Sequence, residues 1–237
     1  MPGKGKLYLI PTIIAEDTVQ LVIPPHILLA LKDIRYFRVE NTRTARRYLS
    51  SLKIYESIES LQFEVLDKDT KAIELAELMK PLLAGNNVGV MSESGCPGVA
   101  DPGAMAVAYA HHNNIQVVPL VGPSSILLAM MASGLNGQKF AFHGYLPVDG
   151  NEAAKMIKEL ERESEVKNQT QLFIETPYRN NQVLAYLLNS LHPDTKLSIA
   201  LALTGVGETI QTKSVKEWKF QKPTLPKEPA IFSFCRI

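Results

Sequence analysis

The chain has 237 residues, of which 46% are apolar and 21% are charged. This length admits one large domain or two domains of about 120 residues each. The 25 basic and 24 acidic residues leave a formal net charge of +1, which argues against nucleic-acid binding by bulk charge and against a disordered acidic segment. The two cysteines, Cys96 and Cys235, lie far apart in the sequence, which excludes a disulfide framework and a zinc ribbon.

The N-terminal sequence MPGKGKLYLI has no apolar stretch long enough for a signal peptide. The longest apolar block, residues 115–135, is interrupted by Pro119 and by the Gly122-Pro123 pair. A membrane span needs about 20 apolar residues without such breaks. We therefore expect a cytoplasmic protein.

Strands and helices alternate in the first half of the predicted structure. Short apolar runs predict strands at residues 6–10, 34–39, 61–66, 87–92 and 115–120. Between them, residues 68–84 and 104–112 have helical patterns, and Gly85 is suitably placed to end the first of these helices. Continuous apolar strands are typical of a parallel sheet covered on both faces by helices. The first half is therefore predicted to be α/β.

The second half contains more strands and fewer helical crossovers. Strands are predicted at residues 139–146, 170–175, 196–203, 208–212 and 230–236, and helices at residues 126–132, 152–164 and 180–191. This order favours a mixed, largely antiparallel sheet with helices to one side. We place the domain boundary near residues 119–123, which gives an N-terminal α/β domain of residues 1–119 and a C-terminal α/β domain of residues 120–237.

The segment SESGCPGVADPG, residues 92–103, is the strongest functional signal. It follows an apolar strand, at the end where open α/β sheets bind ligands. Gly95 and Gly98 allow positive φ or the close approach of a ligand, and Pro102 can open the next helix. At 12 residues the segment is long for a strand-to-helix connection. We interpret it as a binding loop.

The segment PLVGPSSILLAMMASGL, residues 119–135, has the same character. The Gly122-Pro123 turn ends a strand, and Ser124 or Ser125 can cap the apolar helix that follows or leave its amides to a ligand carboxylate. Motifs for nicotinamide dinucleotides, nucleoside triphosphates and zinc hydrolases are absent from the sequence. The five histidines have no metal-ligand spacing, so no metal is expected.

Six blocks together resemble one family. They are GKLYLIPT (5–12), ENTRTARRYLSSL (40–52), SESGCPGVADPG, VVPLVGPSSILLAMMASGL (117–135), FAFHGYLP (140–147) and FIETPYR (173–179). In this order and spacing they resemble the tetrapyrrole methylase superfamily, the class III S-adenosylmethionine-dependent methyltransferases, and within it the branch of bacterial 16S ribosomal RNA 2′-O-ribose (cytidine) methyltransferases.

The resemblance implies a methyltransferase of two α/β domains that binds S-adenosylmethionine in the cleft between them, commonly as a homodimer. Carried over block by block, it assigns cofactor contacts to Pro11, Ser92, Gly95, Pro97, Gly122, Ser124, Ser125, Tyr145, Leu146, Thr176 and Pro177. The small subunit of the ribosome is the expected RNA partner. Such a cofactor needs backbone amides for its carboxylate, apolar walls for its adenine and no neighbouring cation.

Methylation of a ribose hydroxyl also needs a group that accepts the hydroxyl proton. The carboxylates of Glu93, Asp101, Glu175 and Glu208 are candidates, and we favour Glu93, beside the binding loop, and Glu208. For each of them a capping or solvated carboxylate is the competing interpretation.

A basic helix is the one sign of RNA binding. Residues 32–53 contain seven basic and two acidic residues, and Arg43, Arg46 and Arg47 are spaced to share one helical face. Such a face can position phosphates without reading sequence. An ordinary solvated helix, with Arg47 paired to Glu40 or Glu56, would show the same pattern.

Two alternatives to an RNA methyltransferase stay open. Relatives in the superfamily methylate small molecules such as tetrapyrroles. A catalytically silent S-adenosylmethionine-binding protein is favoured by LALTGVGET, residues 201–209, which lacks two basic residues that the family has there.

Overall fold

The computed structural model describes residues 3–236 and divides the chain into two compact units, one that extends through Ser124 and one that begins at Ser125. Among these residues, the first unit contains five strands: β1 (Leu7–Ile10), β2 (Tyr36–Val39), β3 (Gln62–Val65), β4 (Val88–Met91) and β5 (Val117–Pro119). They form one sheet in the order β3-β2-β4-β1-β5, and every pair is parallel. The predicted parallel sheet is confirmed.

Helices cover both faces of this sheet. They are α1 (Val19–Val22), α2 (Pro25–Leu31), α3 (Thr42–Ser51), α4 (Ala72–Leu78), α5 (Lys80–Leu83) and α6 (Gly103–His112), with a 3₁₀ turn at Ile58–Ser60. One buried cluster joins α2 and α3 to Phe37 and Met91 of the sheet. A second joins α5 and α6 to Leu7 and Val88. Because both faces of the sheet are covered by helices, the strands consist of continuous runs of apolar residues.

The predicted helix at residues 68–84 is wrong in its extent. The structure has two helices there, α4 and α5, separated at Met79. Pro81 lies in the first turn of α5, where its missing N–H costs no hydrogen bond, but it cannot continue α4. Helices α1 and α2 were not predicted, although α2 also begins with a proline, Pro25.

The second unit contains five further strands among the described residues: β6 (Phe140–Phe142), β7 (Thr170–Glu175), β8 (Lys196–Leu201), β9 (Thr209–Ser214) and β10 (Ala230–Cys235). Their order is β6-β7-β10-β8-β9. Only the β6–β7 pair is parallel among these described strands, and the others are antiparallel. The predicted mixed sheet is confirmed.

Helices of the second unit are α7 (Ser125–Ser133), α8 (Gly150–Lys167), α9 (Asn180–Ser190) and α10 (Val215–Gln221). Helices α8, α9 and α10 pack on one face of the sheet around Phe173 and Phe232. Helix α7 covers the other face and buries Ala129 and Met130 against Ile231. The expectation of helices to one side is therefore wrong, because the apolar helix α7 needs a buried surface of its own.

No helix among residues 3–236 is long and apolar enough to cross a membrane.

Arg38 is buried inside the first unit, with its side chain only 1% exposed. Its guanidinium donates to the carbonyl oxygens of Leu78 at 2.6 Å and Phe37 at 3.1 Å, and pairs with Glu64 at 2.8 Å. Burial lowers the pKa of Arg38, while Glu64 acts in the opposite direction. A buried cation is tolerated when it is paired and hydrogen-bonded in this way.

We predict that Glu64→Gln lowers the free energy of unfolding by about 1–2 kcal/mol, because it leaves the buried Arg38 without its counter-charge. The loss is below that of a fully buried pair, since the Glu64 side chain is 54% exposed. Urea denaturation measures the change. Glu77→Gln, which breaks an exposed pair with Lys80, is the matched control and should cost no more than about 0.5 kcal/mol. Equal losses in both variants would contradict the role of Glu64.

Candidate active site

Three loops of the first unit, which follow β1, β4 and β5, contact one another at the carboxyl edge of the parallel sheet. The backbone N–H of Thr12, after β1, donates to the carbonyl of Gly95, after β4, at 2.9 Å. Gly122, after β5, packs directly on Pro11, because a Cβ at position 122 would lie 2.2 Å from the Pro11 Cβ. The structure therefore brings together cofactor residues that the resemblance assigned to three separate loops.

Two glycines of the loop at residues 92–103 have left-handed backbone conformations. Gly95 and Gly98 have φ angles of +73° and +84°, a region that favours glycine. The Asp101 carboxylate accepts hydrogen bonds from the backbone N–H groups of Gly98 at 2.5 Å and Gly103 at 2.8 Å. Burial raises the pKa of Asp101, and these two hydrogen bonds oppose that shift. Asp101 thus stabilises the loop conformation. We interpret its carboxylate as structural.

The side chains of Ser92, Cys96 and Pro97 in this loop have packing roles. Ser92 and Pro97 are buried, and the Ser92 hydroxyl donates to the Ser94 carbonyl at 3.1 Å. The Cys96 thiol lies 3.3 Å from the Pro123 carbonyl oxygen. Burial raises the pKa of Cys96, and the nearby Asp101 adds to the shift. A thiol of raised pKa is a weak nucleophile, so we interpret Cys96 as a packing residue.

A cavity of about 490 Å³ opens beside these loops, within the first unit. Its walls come from the segments that follow β1, β2 and β4 and from helix α3. The polar residues among those lining it are Thr12, Glu16, Asp17, Glu40, Asn41, Thr44, Arg47, Tyr48, Ser51, Ser92 and Glu93. Ligands of α/β proteins bind at this edge of a sheet. The cavity is large enough for a small ligand or a single nucleotide unit.

Glu40 was not among the candidate catalytic residues, yet it lines this cavity directly after β2. Its Oε1 accepts a hydrogen bond from the backbone N–H of Glu93 at 3.3 Å. Burial raises the pKa of Glu40, with further contributions from Asp101 and Glu93, while the hydrogen bond from Glu93 acts in the opposite direction. The sequence feature that could have indicated Glu40 is its position, directly after a predicted parallel strand and therefore at the carboxyl edge of the sheet.

Glu93 and Glu208, the two carboxylates favoured as proton acceptors, lie in different surroundings. Glu93 is exposed at the cavity and accepts a hydrogen bond from the Thr44 hydroxyl at 3.1 Å. Glu208 belongs to the second unit, where its Oε2 accepts from the backbone N–H of Thr204 at 2.7 Å. Glu93 thus faces a cavity, whereas Glu208 caps a turn before β9.

In the second unit, a buried ion pair joins two of the segments assigned to the cofactor. The Arg179 guanidinium donates to the carbonyls of Leu146 at 3.3 Å and Pro147 at 2.9 Å, and it pairs with Glu175 at 3.3 Å. The other Glu175 oxygen accepts from the Thr176 backbone N–H at 2.7 Å. This pair links the Tyr145–Leu146 and Thr176–Pro177 segments. Among the described residues, the Glu175 Oε2 accepts no hydrogen bond.

Three further residues were assigned to the cofactor: Tyr145, Ser124 and Ser125. Tyr145 is 53% exposed, so its ring is accessible. Ser125 is the first residue of α7, and Ser124 precedes it.

The basic face of α3 has the predicted arrangement. Arg43, Arg46 and Arg47 are all exposed, whereas the buried residues of the helix are Ala45, Tyr48 and Leu49. The helix begins at the cap Asn41, whose side chain accepts from the Arg43 N–H at 2.9 Å. The Arg46 guanidinium lies 5.2 Å from the centre of the Phe63 ring. Arg47 pairs with Glu16, and not with Glu40 or Glu56 as one interpretation had it.

Among residues 3–236, no group of three or more histidine, cysteine, aspartate or glutamate side chains is arranged to hold a metal ion.

Comparison with known proteins identifies relatives of one kind. No family profile matches the chain. It is 29% identical over 217 residues to "Ribosomal RNA small subunit methyltransferase I" of Vibrio cholerae, which covers 91% of this chain and 70% of that protein. Proteins of the same name from Streptococcus pyogenes and Synechocystis sp. are 29% identical over 215 residues and 32% identical over 141 residues. These matches cover 90% and 57% of this chain, and 70% and 49% of the relatives.

Among solved structures, uroporphyrin-III-C-methyltransferase from Thermus thermophilus has a similar fold. The TM-score is 0.57, and the match covers 98% of this chain and 92% of that chain at 17% sequence identity. At this identity the likeness concerns the fold alone. The named relatives support a methyltransferase, and the fold agrees with the resemblance of the six sequence blocks to the tetrapyrrole methylase superfamily.

Proposed function

We propose that the protein transfers a methyl group from S-adenosylmethionine to a ribose 2′-hydroxyl of the RNA of the small ribosomal subunit. The observation that carries this proposal is the match to relatives named ribosomal RNA small subunit methyltransferase I over nine-tenths of the chain. A ribosomal acceptor would also require a cytoplasmic location. The homodimer is proposed from the family resemblance.

The cofactor loops of the first unit fit such a ligand. Gly95 and Gly98 have positive φ angles, and Gly122 has no space for a side chain against Pro11. Residues 92–103 contain no lysine or arginine, which suits a positively charged sulfonium. S-adenosylmethionine would supply the activated methyl group.

The residues proposed to hold the cofactor are those that the family resemblance assigns. They are Pro11, Ser92, Gly95, Pro97, Gly122 and Ser124 in the first unit, and Ser125, Tyr145, Leu146, Thr176 and Pro177 in the second. Their part in catalysis is to hold the donor in line with the acceptor oxygen, since alignment supplies most of the acceleration in a displacement of this kind. Glu93 and Glu208 are the carboxylates that the sequence proposed for the acceptor proton.

The exposed arginines of α3 are proposed to contact RNA phosphates. Arg43, Arg46 and Arg47 share one face and lie at the helix that forms one wall of the 490 Å³ cavity. Three cations in this position would orient an RNA strand beside the cavity without reading its sequence.

A small-molecule acceptor is the second candidate, and the likeness to uroporphyrin-III-C-methyltransferase favours it. The cavity size is compatible with part of such a ligand. The basic face of α3 favours RNA, because a small molecule does not need a line of exposed arginines.

We predict that the purified protein transfers labelled methyl into 16S RNA of small subunits from a strain that lacks the activity. The expected product is one methyl group per subunit, on a ribose. Label in a small-molecule fraction alone would replace RNA with the second candidate. No transfer, with S-adenosylhomocysteine still bound in calorimetry, would identify a silent binding protein and overturn the proposed function.

Tyr145→Ala should weaken S-adenosylhomocysteine binding by roughly threefold to tenfold, the range expected when one aromatic ring no longer packs on the ligand. Because the ring is 53% exposed, the melting temperature should stay unchanged. Isothermal titration calorimetry measures the affinity. Phe220→Ala removes another exposed aromatic ring of the same unit, 89% exposed on α10, and is the matched control. Equal affinities for wild type and Tyr145→Ala would remove Tyr145 from the cofactor site.

The triple variant Arg43→Ala, Arg46→Ala, Arg47→Ala should raise KM for the RNA by roughly tenfold or more at low salt, and leave affinity for S-adenosylhomocysteine unchanged. The slope of log KM against log salt should fall by up to about three, since each arginine that binds a phosphate adds about one to it. Replacing Lys155, Lys158 and Arg162, three cations of α8, removes the same charge elsewhere. If both triple variants behave alike, net charge and not the α3 face controls RNA affinity.

A further inference from the structure

Four acidic residues line the cavity beside the cofactor loops, and they differ in solvent exposure and in hydrogen-bond partners. Glu16, Asp17 and Glu93 are exposed, whereas Glu40 is half-buried. Glu16 is neutralised by Arg47, and the Glu93 carboxylate accepts a hydrogen bond from Thr44. Glu40 is thus the acid of the cavity wall with the least access to water. Electrostatic interactions are stronger where water is excluded, which favours such a group as a proton acceptor.

The backbone around Glu40 is rigid. Residue 40 lies between the end of β2 at Val39 and the helix cap at Asn41. The Asn41 side chain accepts hydrogen bonds from the N–H groups of Arg43 at 2.9 Å and Thr44 at 3.3 Å. The strand and the capped helix therefore fix the Cα of Glu40, and the Glu93 N–H at 3.3 Å orients its Oε1. Fixed geometry of this kind is needed for proton transfer to a bound substrate.

The charges that face Glu40 come from several elements. Asp101 and Glu93 are contributed by the loop after β4, and both raise the pKa of Glu40 beyond the effect of burial. Glu16 and Asp17 lie in the wall contributed by the segment after β1, and Arg47 of α3 pairs with Glu16. A carboxylate of raised pKa holds a proton more strongly than a solvated one, which makes it the better base.

We propose that Glu40 is the general base of the reaction and accepts the proton of the acceptor hydroxyl in this cavity. This proposal rests on the proposed function. The acceptor O–H bond breaks and its proton moves to a carboxylate oxygen of Glu40. The electron pair left on oxygen forms the new O–CH₃ bond, and the S–CH₃ bond breaks with its electrons staying on sulfur. The carboxylate and the sulfonium are both neutral afterwards, and the proton then leaves Glu40 for water.

Glu93 has a different part in this scheme. Its backbone N–H, rather than its carboxylate, contacts Glu40. Its side chain is exposed, and its carboxylate accepts a hydrogen bond from the Thr44 hydroxyl. The residue that the sequence favoured is therefore a neighbour that orients the base.

The test is single-turnover methyl transfer to small-subunit RNA by Glu40→Gln, with the pH dependence of the rate. The rate should fall by about 10²–10⁴-fold, and the affinity for S-adenosylhomocysteine in calorimetry should stay within about twofold of wild type. The wild-type rate should rise with pH and level off above the raised pKa of Glu40, because only the deprotonated carboxylate accepts a proton. That rise should be absent in Glu40→Gln.

Two further variants keep the test decisive. Glu40→Asp keeps a carboxylate one methylene further from the substrate, and it should restore the rise with pH at a lower plateau rate. Glu77→Gln, on the exposed face of α4, is the control for the same carboxylate-to-amide change and should leave the rate unchanged.

The outcomes separate the two proposals. Transfer by Glu40→Gln within about threefold of wild type, or a rise with pH that it retains, overturns the assignment of the base while the proposed function stands. A parallel loss of S-adenosylhomocysteine affinity in Glu40→Gln and Glu40→Asp overturns it as well, since the residue would then support the fold of the site. A wild-type protein that methylates no RNA overturns the proposed function, and this assignment with it.

Discussion

The direct contact between Gly122 and Pro11 is the constraint on which the candidate site depends. A Cβ at position 122 would overlap with the Pro11 ring, so the backbone after β5 rests directly on the residue that follows β1. Because β1 lies between β4 and β5 in the sheet, the loop after β4 emerges on its other side and is joined by the Thr12–Gly95 hydrogen bond. Three loops thus form one surface of backbone, and the cavity opens next to it.

Much of the fold could be predicted from the sequence, because strands buried on both faces are apolar throughout and helices between them are amphipathic. All ten strands of the described residues were located, and the loops at residues 92–103 and 119–125 stood out by glycine and proline. Helix α10 was missed, although Ser214 and Glu217 form a capping box that the sequence displays. The apolar spacing of residues 68–84 continues through Pro81 and so does not predict the break at Met79.

The candidate site was harder to predict than the fold. Glycines that allow a ligand to approach are recognisable by residue type, but a general base is distinguished by its surroundings. Glu40 differs from Glu93 in burial and in the acids that surround it, and neither property is visible in the sequence. The sequence also leaves Asp101 and Glu175 as catalytic candidates. In the structure, the Asp101 carboxylate accepts hydrogen bonds from two backbone N–H groups, and the Glu175 carboxylate pairs with Arg179.

The stacking of Arg46 on Phe63 has a consequence for the behaviour of the protein at high concentration. Phe63 belongs to β3, which lies at one edge of the first sheet, and an open edge can pair with a strand of another molecule. The guanidinium covers the ring, and the carboxylate of Glu64 extends from the neighbouring position. Charge of both signs at an edge strand discourages intermolecular β-sheet formation. The charge that Arg46 carries on α3 therefore also disfavours pairing of the β3 edge with another chain, independently of any contact with RNA.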